Sequence, residues 1–125
     1  MMNKRKRFKQ KDMVSYMALA GLKSETVIPN MNRQHPAYIE QVVCTYLEVH
    51  PKTLGGVKRT RDIVFARQVI MFLIRRYSTL SLMNIGKRYN KDHTTVIHSL
   101  RTINNLMDTD PVVRSKVRHL ESEIQ

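Results

Sequence analysis

Little in this chain points to covalent chemistry. Of its 125 residues only Cys44 is a cysteine, and none is a tryptophan. A single thiol excludes an internal disulfide framework and any multi-cysteine zinc site. Cys44 stands between Val43 and Thr45 in an apolar-periodic stretch, which predicts a small buried hydrophobe rather than a nucleophile. Four glycines form no phosphate loop, and no paired carboxylates or nucleophile–base set stands out. The expectation is a protein that is not an enzyme and takes no cofactor or metal. Long apolar runs are missing too. The longest, Val69–Ile74, has six residues, far short of the roughly 20 needed to span a bilayer. No cleavage pattern of a signal peptide follows the basic N-terminus. A cytoplasmic, nucleoid-associated protein is expected.

Acid is scarce as well. Ten Asp and Glu stand against 22 Lys and Arg, a formal net charge of +12. Such an excess points to a polyanionic partner, nucleic acid before anionic membrane. Residues 1–11 hold six basic side chains and no acid. They read as an arm, either solvated or lying on DNA phosphates. Met13, Val14, Tyr16, Met17 and Leu19 then suggest a short helix from about Asp12 to Ala20, stopped by Gly21. Segment 12–28 could dock a protein partner. Pro29, Asn30, Asn32 and Pro36 mark a linker. Residues 1–36 are thus set apart from a domain over 37–125.

The domain reads as all-α, a bundle of about five main helices, with 42% apolar residues to supply a modest core. Tyr38, Ile39, Val42, Val43, Tyr46 and Leu47 form one amphipathic stripe, ended by Pro51. Thr53 to Gly56 makes a short turn. A basic loop, Lys58-Arg59-Thr60-Arg61, precedes Asp62 as N-cap of a long helix from Ile63 to Tyr77. Within it Val69–Ile74 is apolar all round, so this helix is central, while Arg67, Arg75 and Arg76 should reach solvent. Ser81 caps a short helix, about Leu82 to Tyr89. Asn90-Lys91-Asp92 makes a turn, and Asp92 caps a helix from His93 to about Met107 with Val96, Leu100, Ile103 and Met107 as its apolar set. Asp110 and Pro111 start the last helix, with Val113, Val117, Leu120 and Ile124 inside.

Short helix, tight turn and longer helix are the proportions of a helix-turn-helix, whose second helix enters the major groove of DNA. That helix carries Thr94, His98, Arg101 and Asn105 opposite its apolar stripe, flanked by Thr95 and Thr102, with no acid among them. An ordinary solvated face would mix Glu with Lys, so a DNA-facing surface is expected. At its N-terminus, unpaired backbone N–H groups favour anions. Thr94 and Thr95 can bond bases or phosphates or meet a thymine methyl, and His93 can do likewise. Asp92 either caps the helix, accepts from a cytosine amino group, or does both. A metal site is disfavoured, because His93 and His98 lie about 140° apart around the helix and zinc pairs on helices prefer an i, i+4 spacing.

DHTTV at Asp92–Val96 resembles the motif of the C-terminal DNA-binding domain of the bacterial chromosomal replication initiator DnaA. ARQVIMFLIRRYSTLSLMNIG at Ala66–Gly86 is similar to that family's Arg-Gln-led helix and Ser-Leu-x-x-Ile-Gly helix. Lys58–Arg61 resembles its basic loop, and Asp110–Val117 stands in the place of its terminal helix. The resemblance runs from about Ala37 to Gln125. It implies a Trp-repressor-like helical domain that binds a short asymmetric box in double-stranded DNA. By position, it implies Arg59, with Arg61, for the minor groove and Asp92, His93, Thr94 and Thr95 for base reading. Arg67, Arg75 and Lys91 match positions that approach phosphates. Leu82 matches an apolar helix start beside the DNA backbone. Lys58, Arg61, His98 and Arg101 add to the expected backbone contacts.

There are departures. The turn before Asp92 is about one residue shorter, with Asn90-Lys91 replacing a glycine-containing loop. Phe65-Ala66 stands where the family commonly has Arg-Pro. No Walker A motif occurs, and only some 36 residues precede the domain. The expectation is the DNA-reading module on its own, acting as a regulator or accessory factor in replication or transcription. The rival expectation is a helical adaptor with only non-specific affinity for DNA.

Overall fold

His35 and Pro36 start the first helix among the described residues. The computed structural model describes residues 32–57 and 59–125. The basic arm, the helix expected near residues 12–20, segment 12–28 and Lys58 lie outside the described residues. The His35 ring nitrogen Nδ1 accepts from Ala37 N–H at 3.1 Å, and Pro36 supplies the preset first turn of α1, Pro36–Leu47. Tyr38, Ile39, Val42, Val43 and Cys44 are buried on it, as the apolar stripe predicts. The helix ends before Pro51, where the sequence placed its stop. Glu48 turns left-handed at φ 58°, and Val49 N–H reaches back to Cys44 O at 3.0 Å. A non-glycine residue there costs roughly 1–2 kcal/mol. Burial of Val49 against the core offsets it. His50 and Pro51 repeat the His-Pro device and open a 3₁₀ turn, Pro51–Thr53.

Helix α2, Arg61–Tyr77, is the centre of the fold and packs against α1 and α4. All six residues of Val69–Ile74 are buried, each stabilising by about 1.5–3 kcal/mol. Its start corrects the expectation. Thr60, not Asp62, is the N-cap, and its side chain makes no capping bond. Asp62 sits in the first turn, where a negative charge meets the positive end of the helix dipole. Arg67 is a second correction. It does not reach solvent but is buried, because its Nε donates to Leu54 O at 2.7 Å. Arg75 and Arg76 are exposed as expected.

The three remaining helices are α3, Leu82–Arg88, α4, His93–Thr109, and α5, Pro111–Ile124. Their caps are those read from the sequence. Ser81 Oγ accepts from Asn84 N–H at 3.1 Å, Asp92 Oδ1 from Thr95 N–H at 2.9 Å, and Asp110 Oδ1 from Val112 N–H at 2.9 Å. α4 runs two residues beyond Met107, since Arg114 of α5 covers its last carbonyls, donating to Met107 O at 2.7 Å and Asp108 O at 3.2 Å. The buried set of α4 is Val96, Ser99 and Ile103, while Leu100 and Met107 are half-buried on its flanks. Val117, Leu120 and Ile124 fasten α5 to the core. Tyr77 OH donates to Glu121 at 2.9 Å, and the Tyr46 ring stacks on His119 at 4.6 Å. The protein is all-α, and no strand occurs among the described residues. No described helix is long and apolar enough to cross a membrane.

Candidate nucleic-acid interface

The turn between α3 and α4 is held from three directions. Lys91 N–H donates back to Gly86 O at 2.8 Å, closing the end of α3. Asn90 adopts φ 59°, the left-handed conformation for which asparagine is the second choice after glycine. Tyr89, which caps α3, is buried, and its hydroxyl donates to Glu40 of α1 at 2.7 Å. Arg88 lies beside both, with Nη2 3.5 Å from Glu40 Oε1 and Nε 3.2 Å from the Tyr89 hydroxyl. Burial, then the Glu40 charge, pushes the Tyr89 phenol well above its ordinary range.

α4 therefore leaves the turn in one fixed direction. At 100° per residue, Thr94, His98, Arg101 and Asn105 fall within an arc of about 60° opposite Val96 and Ile103. All four are exposed. Asp92 and His93 are exposed at the helix start, and Thr95 is half-buried beside them. The Asp92 carboxyl is drawn below its ordinary range, first by the Thr95 backbone N–H, then by the Thr95 hydroxyl. The cap role is thus realised in the fold.

Beside this helix end opens a cleft of about 400 Å³, lined by Val57, Arg59, Val64, Arg67, Gln68, Lys91, Thr95, His98 and Ser99. No acidic residue lines it. Burial, then neighbouring Arg59, lowers the pKa of Arg67. Burial, then Arg67 and Arg59, does the same to Lys91. Three cations crowd one concavity, a disposition that an incoming anion relieves. Arg67 Nη2 is buried there with no hydrogen-bond partner among the described residues.

The structure thus brings Arg59, Arg67, Lys91, Thr95 and His98 to one cleft, with Asp92, His93, Thr94 and Arg101 on the adjoining face. Arg61 is exposed at the start of α2. Arg75 stands apart, exposed at the far end of α2, where it donates to Leu80 O at 3.2 Å. Leu82 is half-buried against the core at the start of α3. Three lining residues, Val64, Gln68 and Ser99, did not figure among the candidates. Val64, Arg67 and Gln68 lie at i, i+3 and i+4 on α2, so the spacing carried the signal. Phe65 is half-buried, and Lys116 Nζ of α5 lies 5.8 Å from its ring centroid. That position serves helix packing here.

A family model described as the bacterial DnaA protein helix-turn-helix matches residues 36–103. The chromosomal replication initiator protein DnaA of Thermoanaerobacter sp. (strain X514) is 36% identical over 87 residues, 70% of this chain and 20% of that protein. The protein of the same name from Enterococcus faecalis is 35% identical over 112 residues, 89% of this chain and 25% of its own length. That of Flavobacterium psychrophilum is 34% identical over 102 residues, 80% and 21% of the two chains. The chain spans about a fifth to a quarter of the length of these curated relatives.

Proposed function

The chain belongs to the bacterial DnaA helix-turn-helix family, a DNA-binding module, and from that premise we propose that it is a sequence-specific double-stranded DNA-binding protein reading a short initiator-type box. α4 enters the major groove and presents Asp92, His93, Thr94 and Thr95 to base edges. Asp92 caps through Oδ1, and its other oxygen accepts from a cytosine amino group. Arg59, with Arg61, enters the minor groove. Lys58, Arg61, Arg75, His98 and Arg101 approach phosphates, and Leu82 lies beside the backbone. The observation that carries the reading is the acid-free cleft shared by the base of the basic loop and the start of α4. It joins the two elements that would enter the two grooves.

Residues 37–125 form the reading domain in this proposal, and residues 1–11 add a sequence-independent attraction to phosphates. The protein acts at the nucleoid as a regulator or accessory factor, competing for initiator boxes. The reading assigns it no chemical step and no cofactor. Titration of the full chain onto duplexes with an intact or scrambled initiator-type box tests it. At physiological salt a preference of about 10³-fold or more is expected. Equal affinity for the two duplexes would falsify sequence-specific reading. Deleting residues 1–11 should leave the preference intact and lower the slope of log affinity against log salt by up to about 5, for six cations at about 0.9 each.

A further inference from the structure

Two of the cations expected at phosphates hold the basic loop instead. Arg67 Nε donates to Leu54 O at 2.7 Å, at the start of the loop. Lys91 Nζ donates to Gly56 O at 3.1 Å, three residues before Arg59. Lys91 belongs to the turn of the helix-turn-helix and stands one residue before Asp92, the cap of α4. The loop also runs close to the turn. A Cβ on Gly55 would lie 3.8 Å from Tyr89 O, ordinary van der Waals contact. Val57, next along the loop, is 90% exposed and gains nothing from the core. Without a tether, a Gly-Gly loop of this kind would have to be ordered on binding, which weakens affinity.

We infer that Lys91 is a positioning residue that fixes the distance between the loop carrying Arg59 and the α4 end carrying Asp92–Thr95, so that the two grooves are read in register. The inference rests on the DNA reading proposed above. An ammonium has three donors; in the free protein one is committed to the Gly56 carbonyl, and that bond joins the two reading elements through a single side chain. A lysine that served only as a point charge toward phosphate would have no need of it. The two roles differ in what a substitution does. Loss of a phosphate contact weakens binding to every sequence alike and lowers the salt slope by about 0.9. Loss of a spacer weakens only binding that uses both elements at once.

The experiment is a double-mutant cycle. A duplex is first selected from a random pool with the full wild-type chain, and a scrambled version serves as control. Wild type, Lys91→Met, Arg59→Ala and the double variant are titrated onto both across a salt series. Thermal melting checks that each is folded, and Lys91→Gln replaces the methionine variant if that one melts below the assay temperature. Lys91→Met is expected to lose about tenfold on the selected duplex and little on the scrambled one, with an unchanged salt slope. With Arg59 already removed, the same substitution should lose less than about threefold. Amide hydrogen exchange at Val57 should also quicken in Lys91→Met. Equal losses with and without Arg59, or a slope reduced by about 0.9, overturn the inference alone. A wild-type chain that binds both duplexes equally overturns the parent reading, and this inference with it.

Discussion

Gly86→Ala should destabilise this protein although alanine is the better helix former. Gly86 lies within α3 and is buried. A Cβ built there would come 2.4 Å from Lys91 O and 3.3 Å from the carbonyl carbon and oxygen of Asp92. Ordinary contact begins at 3.4 Å, so the turn would have to retreat by 1.0 Å, the difference between 3.4 and 2.4. Its freedom to do so is small. Lys91 N–H is bonded to Gly86 O at 2.8 Å, Tyr89 is locked to Glu40 at 2.7 Å, and Lys91 Nζ is bonded to Gly56 O at 3.1 Å. Overpacking of this sort costs about 1–3 kcal/mol. The intrinsic preference for alanine returns about 1 kcal/mol. With the backbone of the turn in the way the clash wins, for a net loss of up to about 2 kcal/mol and a fall in melting temperature of up to about 15 °C for a domain of this size. A circular dichroism melt of the full chain measures it. An unchanged or higher melting temperature would show that the turn yields freely, and would sink the argument that the direction of α4 is held by its packing.

Other substitutions probe separate parts of the surface. Thr95→Ala should cost about 1–3 kcal/mol on the preferred duplex and little on scrambled DNA, and a uniform loss in a binding titration would remove Thr95 from the base readers. Arg67→Met should lower stability by about 1–3 kcal/mol in a denaturant melt, because Leu54 O loses its charged donor; a neutral result would contradict its role as a strut. The raised phenol of Tyr89 contributes stability that is complete below the ordinary tyrosine range and is lost as pH climbs through its folded value. Of the five tyrosines, the one absent from the phenolate absorbance of Tyr89→Phe should ionise only well above pH 10, and a difference signal centred there would refute the buried Tyr89–Glu40 bond. Asp92 runs the other way: its lowered carboxyl contributes stability present above the ordinary aspartate range and lost as pH falls through its folded value. The melting deficit of Asp92→Ala should therefore be constant near neutrality and shrink in acid; a deficit that persists at pH 2 would point to a cause other than the cap.

The helices were legible because their signals are local. Asp110-Pro111, Ser81 and Asp92 announce starts through side chains that bond a backbone N–H two or three residues on. Val69–Ile74 announces a central helix by having no polar face. The exposed polar face of α4 followed from phase alone, since Thr94, His98, Arg101 and Asn105 fall opposite a stripe that must go inward. What stayed hidden depends on distant partners. Nothing near Glu48 says that a glutamate will turn left-handed; the reward is burial of Val49. Nothing near Arg67 says that its guanidinium folds onto a carbonyl thirteen residues earlier. Ser99 is polar, yet it is buried among the apolar residues of α4. In each case the destination was set by tertiary packing.

That distinction bears on how the cleft would bind. Arg67 has satisfied its Nε on Leu54, yet Nη2 is buried with no partner among the described residues, and Arg59 and Lys91 add repulsion from beside it. A buried donor left unmade and three cations in one concavity are both unfavourable in the free protein. Folding tolerates them because α2 is fixed by six buried apolar residues in succession just beyond Gln68. An anion entering the cleft would relieve the repulsion among the three cations.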